Sequence, residues 1–379
     1  MELHSYLQDL INIPSVNPDF AQGNPDISGE HRMTQWLAEQ FRNLDPIMVT
    51  EDQVRANRNN LYVLFQGRSD KTNLWDIHMD TVGIDGMKID PFGGVIVDGK
   101  LFGRGACDTK ASFALALHIL QKAFKEGKKP KHNLFLAATV GEETGGLGAK
   151  RLNRWAVEMS TSFHQALVAE PTLCAPVCAH NGLVRAKIEI TGARAHTSLP
   201  QLGKNAALAA ARAAVAFDLE HKRLQDPKFT KITGNPQLTV TKLAGGTGGN
   251  TVPYHCDFEY DRRVVADEDA QQIAADLLQL VCESCGPEFQ VTVKDSRASQ
   301  ALSTDPSGDL ISRFSKMSGN QPATAPYGTN ALYYEPGFAE EVVVFGPGSI
   351  DQAHTDDEWI DLGELENAAR IIEAWLEFA

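Results

Sequence analysis

The chain has 379 residues, of which 42% are hydrophobic and 22% are charged, a composition typical of a globular protein with room for two domains. Its formal net charge of −14 excludes the basic surplus that binding to nucleic acid or to an anionic membrane requires. The N-terminal segment lacks the features of a signal peptide, and no apolar run reaches the length of a membrane span. We therefore expect a cytoplasmic protein with no nucleic-acid partner and no membrane partner.

The first part of the chain alternates predicted helices and strands. Helices are predicted over residues 2–13 and 29–43, and strands over residues 61–65 and 73–78. The last of these strands ends in His78-Met-Asp80, and residues two apart on a strand face the same side. A histidine beside a carboxylate indicates a metal ligand whose tautomer is fixed by an acceptor. A histidine buried in the core is the alternative, and this segment taken alone favours it.

Carboxylates stand at the next three junctions of the chain. Asp108 follows a glycine-rich segment and precedes a helix that we predict to begin near Lys110, so it either lies where ligands collect in α/β sheets or caps the helix. Glu142 and Glu143 follow a predicted buried strand over 134–140, and Glu170 follows another over 165–169. Two adjacent anions at the end of a buried strand need a neutralising cation, such as a divalent metal, unless the loop is solvated.

The pattern changes near His180. Strands are predicted over residues 183–190, 238–243 and 256–264, and helices over residues 205–220 and 267–282. This α+β pattern predicts an inserted domain over 181–290, so that residues 1–180 and 291–379 together form a discontinuous α/β domain. The tail returns to the first pattern, with a strand over 341–345, His354, and a closing helix over 359–378.

The candidate site consists of six side chains that follow strands or stand at strand–helix junctions: His78, Asp108, Glu142, Glu143, Glu170 and His354. Imidazoles and carboxylates together suit zinc, cobalt or manganese. One carboxylate can bridge two ions, and a carboxylate that is not a ligand can act as general base on a bridging water.

Over nearly its whole length, the chain resembles the co-catalytic zinc amidohydrolases that include acetylornithine deacetylase, succinyl-diaminopimelate desuccinylase, aminoacylase and carboxypeptidase G. The resemblance rests on five motifs in a fixed order: His78-Met-Asp80-Thr-Val, Gly103-Arg-Gly-Ala-Cys-Asp108-Thr-Lys, Gly141-Glu-Glu-Thr144, Glu170-Pro-Thr and Ala195-His196-Thr-Ser. Within the family, Gly346-Pro-Gly-Ser-Ile-Asp-Gln-Ala-His354 is most similar to acetylornithine deacetylase.

The resemblance implies a role for each candidate. It implies that His78, Asp108 and Glu170 bind one Zn²⁺ and that Asp108, Glu143 and His354 bind a second, with Co²⁺ or Mn²⁺ as substitutes. It also implies that Glu142 is the general base and that Asp80 stands behind His78. The implied fold is a zinc-peptidase-like α/β catalytic domain, with a mixed central sheet flanked by helices, and an inserted α+β lid that forms a homodimer.

Further residues are implied to contact the substrate. His196 resembles the lid histidine that reaches the partner's active site and helps hold the oxyanion, while Asn250 and Arg263 resemble groups that clamp the substrate carboxylate. A surface ion pair with Asp261 or Glu259 is the alternative for Arg263. The segment Gly328-Thr329-Asn330-Ala stands where acetylornithine deacetylases have Cys-Thr-Glu-Ala, so this chain lacks a carboxylate that the resemblance places among the substrate-binding residues.

We expect hydrolysis of the amide bond of an N-acyl amino acid, as in acetylornithine deacetylase and arginine biosynthesis. The alternatives within the same chemistry are acetylcitrulline, a succinylated amino acid such as succinyl-diaminopimelate, or a peptide substrate cleaved by a dipeptidase or carboxypeptidase. An alternative from another class is a non-catalytic relative that only binds an amino acid or a partner protein.

Overall fold

A computed structural model describes residues 2–379 and divides them into two compact units. The first unit runs to Cys178 and resumes over Thr304–Ala323 and Thr329–Ala379. The second unit comprises Ala179–Ser303 and Thr324–Gly328. None of the helices formed by residues 2–379 combines the length and the apolar character that crossing a bilayer requires.

The helices, in chain order, are α1 (Leu3–Ile11), α2 (His31–Arg42), α3 (Lys110–Lys125), α4 (Leu147–Glu158), α5 (Ala206–Leu224), α6 (Ala270–Cys285), α7 (Asp309–Ser318) and α8 (Leu362–Leu376). The first eight strands are β1 (Met48–Arg55), β2 (Arg58–Phe65), β3 (Thr72–His78), β4 (Val95–Val97), β5 (Lys100–Phe102), β6 (Asn133–Thr139), β7 (Phe163–Val168) and β8 (Val177–His180). The other eight are β9 (Gly182–Thr191), β10 (Gln237–Gly245), β11 (His255–Val264), β12 (Gln290–Ser299), β13 (Leu302–Ser303), β14 (Ala323–Ala325), β15 (Ala339–Val344) and β16 (Trp359–Asp361).

The first unit is built on a mixed sheet with the strand order β1-β2-β6-β3-β7-β15-β8. β3 runs parallel to both β6 and β7, and β15 runs parallel to β7, whereas β1, β2 and β6 form antiparallel pairs. Parallel neighbours end at the same edge of a sheet, so the segments that follow β3, β6, β7 and β15 emerge together. This topology brings residues from four distant parts of the sequence to one edge.

Strands β3, β6 and β7 are buried over nearly their whole length, as expected for a sheet covered on both faces. One side of the sheet packs an aromatic cluster in which Phe135 contacts Tyr62, Trp155 and Phe163 at ring-centroid distances of 5.4, 4.9 and 5.4 Å. α3, which contributes eleven buried residues, packs against α1 and α8. The predicted α/β class with a mixed central sheet flanked by helices is confirmed.

The second unit contains a four-stranded antiparallel sheet in the order β10-β11-β9-β12. α5 and α6 pack against this sheet through a core that includes Phe217, Phe258 and Tyr260. Buried and partly exposed residues alternate along β11, the pattern of a strand with one face on a core. β12 pairs with β9 beyond the predicted domain boundary at residue 290.

Most predicted elements are confirmed with shifts of a few residues at their ends. The closing helix is wrong at its start, because Trp359–Asp361 form β16, which pairs with β5, and α8 begins only at Leu362. The side chain of Asp361 accepts a hydrogen bond from the backbone N–H of Glu364, an N-terminal cap that fixes this boundary.

Candidate metal centre

His78 is the last residue of β3, and its ring is almost fully buried. Nδ1 lies 2.9 Å from the backbone carbonyl oxygen of Asp80, and a carbonyl can only accept a hydrogen bond. We therefore assign a proton to Nδ1. Nε2 faces a carboxylate oxygen of Asp108 at 2.9 Å. Fixing one ring nitrogen as donor is how proteins aim the other at a metal.

Asp80 contacts the ring of His78 through its main chain rather than through its carboxylate, which lies 3.8 Å from Nδ1. The carboxylate instead accepts hydrogen bonds from the backbone N–H groups of Glu142 at 3.0 Å and Glu143 at 3.2 Å, and from Nδ2 of Asn17 at 2.7 Å. Asp80 therefore fixes the backbone of the turn that carries the two glutamates.

Asp108 lies between the two candidate histidines. One carboxylate oxygen is 2.9 Å from Nε2 of His78, and the other is 3.3 Å from Nε2 of His354. Thr109 is the N-terminal cap residue of α3, and the cap shows no side-chain hydrogen bond, so the helix-capping alternative for Asp108 is not observed. The two oxygens of Asp108 face two different histidines, as a bridging carboxylate does.

Glu170 and His354 complete the arrangement from the ends of β7 and β15. The turn after β15 lies directly against Glu170, because a Cβ atom on Gly346 would fall 2.5 Å from the carbonyl oxygen of Glu170. His354 lies 3.1 Å from a carboxylate oxygen of Glu143, and 48% of its side chain is exposed.

The structure brings these side chains into two overlapping groups, each with its three ligand atoms within 4.8 Å of one another. One group is His78, Asp108 and Glu170, and the other is Asp108, Glu143 and His354. Asp108 belongs to both. These are the two ligand sets that the sequence resemblance implies.

The pKa values of the site reflect several carboxyl groups that lie close together and are largely shielded from solvent. Burial raises the pKa of Glu142 to about 8 and that of Glu143 to about 7, and it raises the pKa of Glu170 well above its usual range. Burial also opposes ionisation of Asp108, yet hydrogen bonds to His354 and His78 lower the pKa of that carboxyl. Hydrogen bonds to Asp108 and to Glu143 raise the pKa of His354 to about 10.

This donor set fits divalent metal ions. The charges that most affect the six side chains are those of one another and of Asp80, with no lysine or arginine among them. Imidazole nitrogen and carboxylate oxygen are ligands for zinc, cobalt and manganese. A pair of cations would supply the positive charge that four clustered carboxyl groups lack.

Glu142 belongs to neither three-residue group, although it neighbours both. Its negative charge raises the pKa of Glu170, and the charges of Glu143, Asp80 and Asp108 raise its own. A partly buried carboxyl beside a metal site, but not among its ligands, is placed as a general base requires.

The residues predicted to bind substrate in the second unit are more exposed. His196 is exposed, and its Nδ1 accepts a hydrogen bond from the backbone N–H of Ser198 at 3.2 Å, so Nε2 carries the proton. Asn250 is exposed in the glycine-rich loop after β10. Arg263 forms the predicted alternative, an ion pair in which Nε lies 3.0 Å from Asp261.

The segment Gly328-Thr329-Asn330 leads into a short 3₁₀ helix, Asn330–Tyr333. The hydroxyl of Thr329 accepts from the backbone N–H of Ala331 at 3.1 Å. Asn330 is buried, and its Nδ2 donates to the hydroxyl of Thr139 at 3.0 Å, which in turn donates to the buried Asp76 at 2.7 Å. The side chain of Asn330 is thus held in an interior polar cluster.

Several residues that hold the ligand-bearing turns were not predicted from the sequence. The carboxylate of Glu30 accepts from the backbone N–H of Gly141 at 3.2 Å and forms an ion pair with Arg58. Asn17 similarly supports Asp80. Nothing in the local sequence distinguishes these residues from ordinary helix and loop residues, because their partners lie far away in the chain.

Comparison with known families agrees with this geometry. The family model described as Peptidase family M20/M25/M40 matches residues 74–377. This chain belongs to that family. It is therefore an enzyme of the M20 class of metal-dependent hydrolases, which includes metallopeptidases and deacetylases, and the family resemblance seen in the sequence is confirmed.

Two relatives are similar to this M20 chain over most of their length. The acetylornithine deacetylase of Myxococcus xanthus is 29% identical over 309 residues, which cover 78% of this chain and 77% of that protein. The acetylornithine deacetylase of Aliivibrio salmonicida is 26% identical over 385 residues, which cover 98% of this chain and 97% of that protein.

Solved structures share the fold. Aminopeptidase PepT of Bacillus cereus has a TM-score of 0.77 at 20% identity, over 99% of this chain and 97% of that chain. The YxeP protein of Bacillus subtilis, described as a dinuclear metal binding peptidase, has a TM-score of 0.69 at 16% identity, over 99% of this chain and 98% of that chain. At these identities, the likeness concerns the fold alone.

Proposed function

We propose that this M20 enzyme hydrolyses the amide bond of an N-acyl amino acid, as an acetylornithine deacetylase does, and releases a free amino acid and a carboxylate. The observation that carries the proposal is the position of Glu142, a partly buried carboxyl beside two three-residue groups that share Asp108. The names of the two relatives, both acetylornithine deacetylases, support the substrate class.

Two Zn²⁺ ions, for which Co²⁺ or Mn²⁺ can substitute, would be held by His78, Asp108 and Glu170 and by Asp108, Glu143 and His354. When bound, such ions polarise an amide carbonyl and lower the pKa of water to about 7. The name of the Bacillus subtilis relative supports two ions rather than one.

Glu142 acts as the general base and then as the general acid. Its carboxylate accepts a proton from the attacking water as the water oxygen bonds to the amide carbon. It then donates that proton to the amide nitrogen as the carbon–nitrogen bond breaks, so the amine leaves neutral. Asp80 keeps Glu142 in place through the backbone hydrogen bond at 3.0 Å.

His196 stabilises the negative charge that develops on the amide oxygen, for which its protonated Nε2 is a suitable donor. Asn250 and Arg263 bind the substrate carboxylate. The ion pair with Asp261 uses Nε of Arg263. The guanidinium has further N–H donors for a second carboxylate.

The chain forms a homodimer through residues 181–290 and works in the cytoplasm, with a small molecule as its substrate. Exposed apolar side chains on α5 support the dimer, since Leu208, Val215 and Leu219 recur on one stripe of that helix. β10 is an edge strand with an exposed Leu243, and edge strands readily pair with another chain. Size-exclusion chromatography with light scattering tests the dimer.

One observation favours a second group of substrates. Asn330 is neutral where the acetylornithine deacetylases that the chain resembles carry a glutamate, and a neutral site attracts the amino group of acetylornithine less strongly. Acetylcitrulline, succinyl-diaminopimelate and dipeptides are therefore the second candidates. Arginine biosynthesis is the expected setting only if acetylornithine is the preferred substrate.

The deciding experiment measures kcat/KM for acetylornithine, acetylcitrulline, succinyl-diaminopimelate and several dipeptides on protein reconstituted with Zn²⁺. The proposal predicts that at least one N-acyl amino acid is hydrolysed and that activity is lost on chelation. Turnover of dipeptides alone would favour the peptidase alternative. Amino-acid binding without metal and without turnover would indicate a non-catalytic relative and would contradict the proposal.

A further inference from the structure

A second buried carboxylate, Glu358, holds the loop that carries Asp108. One oxygen of Glu358 accepts from the backbone N–H groups of Cys107 at 2.8 Å and Asp108 at 3.0 Å. The other accepts from the backbone N–H of Gly105 at 2.9 Å. Only 1% of Glu358 is exposed, so three backbone N–H groups of this loop depend on one interior side chain.

Arg104 neutralises Glu358 and reaches two other loops. Its Nη1 donates to Glu358 at 2.8 Å, its Nε donates to the carbonyl of Gly83 at 3.0 Å, and its Nη2 donates to the carbonyl of Thr355 at 3.1 Å. Gly83 belongs to the loop that follows His78, and Thr355 directly follows His354. The planar guanidinium therefore connects three ligand-bearing segments at once.

His354 has the greatest need of such support. It is the most exposed of the five side chains in the two three-residue groups, and its backbone adopts a left-handed conformation with φ 60°. Only a few per cent of non-glycine residues adopt this conformation, so contacts with the surrounding loops help to hold it. The contact between Arg104 and the carbonyl of Thr355 is one such constraint.

We propose that Arg104 and Glu358 are positioning residues of the metal centre, which set the separation of Asp108 and His354 before any ion binds. This inference rests on the proposed function, because it takes the two three-residue groups to be metal sites. Neither residue contacts substrate in the proposed reaction. Their effect is to place ligand atoms, and we expect it in metal affinity.

A buried ion pair that only stabilises the fold is the competing explanation, and the chain offers a matched control for it. In the second unit, the buried Arg262 donates to Glu268 at 2.6 Å, and Glu268 also accepts from the backbone N–H of Val265 at 2.9 Å. This pair repeats the same chemistry, but Val265 leads to none of the proposed ligands. Glu268→Gln therefore removes an equivalent pair away from the proposed metal ligands.

The experiment measures Zn²⁺ binding to the full-length metal-free chain by equilibrium dialysis, together with the melting temperature of the same preparation. Glu358→Gln leaves one end of the side chain unable to accept backbone hydrogen bonds, and we expect both Zn²⁺ affinities to fall about 10- to 100-fold. Arg104→Lys keeps the positive charge but loses the planar set of guanidinium N–H donors. We expect it to weaken chiefly the binding of the Zn²⁺ ion held by His354. Glu268→Gln should bind two Zn²⁺ ions with wild-type affinity.

The outcomes separate the two proposals. Wild-type Zn²⁺ affinity in both Glu358→Gln and Arg104→Lys would overturn the positioning role while leaving the proposed function intact. An equal loss of affinity in Glu268→Gln would also overturn it, because general destabilisation would then explain the effect. A wild-type chain that binds no Zn²⁺ would overturn the proposed function itself. If Glu358→Gln does not fold, Arg104→Lys decides.

Discussion

The proposed metal ligands and the proposed substrate-binding residues of the second unit differ in burial and in the contacts that hold them in place. Four of the five ligands are largely buried, and the turns that carry Asp108, Glu142 and Glu143 are held by interior carboxylates. His196 and Asn250 are exposed, and the hydrogen bonds of their side chains are local. Ligand atoms that repel one another need a rigid frame, whereas groups that meet an incoming substrate need access to solvent.

Three interior carboxylates hold the turns that carry the ligands and the proposed base, and we call them the frame residues. Asp80, Glu30 and Glu358 each accept backbone N–H groups from a turn that carries a ligand or the proposed base. Two of them, Glu30 and Glu358, are paired with buried arginines. The negative charges of Glu30 and Glu358 are therefore compensated within the protein, while those of the ligands are left for metal ions.

The largest effect is expected from the residue shared by both three-residue groups. Asp108→Asn removes the bridging charge, and we predict the loss of both metal ions and of all measurable turnover. Metal content by mass spectrometry and a hydrolysis assay check this. Asp218→Asn on α5, which removes only an exposed ion pair with Lys222, is the matched control and should retain both ions. Two bound ions in Asp108→Asn would show that Asp108 is not a bridge.

Glu142→Gln separates chemistry from metal binding. The substitution preserves shape but removes the proton acceptor, so we predict that kcat falls by about three orders of magnitude while both ions remain bound. Glu143→Gln is the neighbouring control and should lose one ion. Wild-type kcat in Glu142→Gln would exclude this residue as the general base.

Substitution of a proposed substrate-binding residue in the second unit should change turnover without changing metal content. His196→Ala removes the proposed donor to the developing oxyanion, and we predict a fall in kcat of about 100-fold with unchanged metal content and melting temperature. Ser198→Ala, which removes the hydroxyl 2.7 Å from Nδ1 of His196, should have a smaller effect. A loss of bound metal in His196→Ala would contradict the distinction between residues that hold the metal ligands and residues that contact the substrate.

Asn330 combines features of both groups of residues. It is a proposed substrate-binding residue, but it is buried as the frame residues are. Asn330→Asp adds a negative charge, and an attraction of about 1 kcal/mol would shift the ratio of kcat/KM for acetylornithine over acetylcitrulline about fivefold. Asn330→Ala serves as the uncharged control. An unchanged ratio in Asn330→Asp would show that this position does not select the substrate.

The sequence indicated the ligands because each follows a predicted apolar strand or stands at a strand–helix junction, where a charged residue is conspicuous. It did not indicate the order of β3, β6 and β7, since strand pairing depends on contacts between distant segments. β12 and α7 were overlooked. The residues of β12 are mostly exposed or partly exposed, and the buried residues of α7 are only Leu310, Ile311 and Phe314. The apolar signal in both is weak.

Glu30 and Glu358 could not be predicted from the sequence for a related reason. Glu358 lies 250 residues from the backbone N–H of Asp108 that it binds. Its position in the acidic run Asp356-Asp-Glu358 suggests an ordinary solvated segment, and only the pairing of β16 with β5 buries it beside Arg104. Local patterns predict elements and conspicuous charges, but they do not predict which interior carboxylate meets which distant loop.

The proposed metal centre can be tested most directly by anomalous X-ray diffraction at the zinc absorption edge from crystals of the Zn²⁺-loaded protein. We expect two anomalous peaks on either side of the Asp108 carboxylate, one beside His78 and Glu170 and the other beside Glu143 and His354. Peaks elsewhere, or no peak in contact with Asp108, would contradict it.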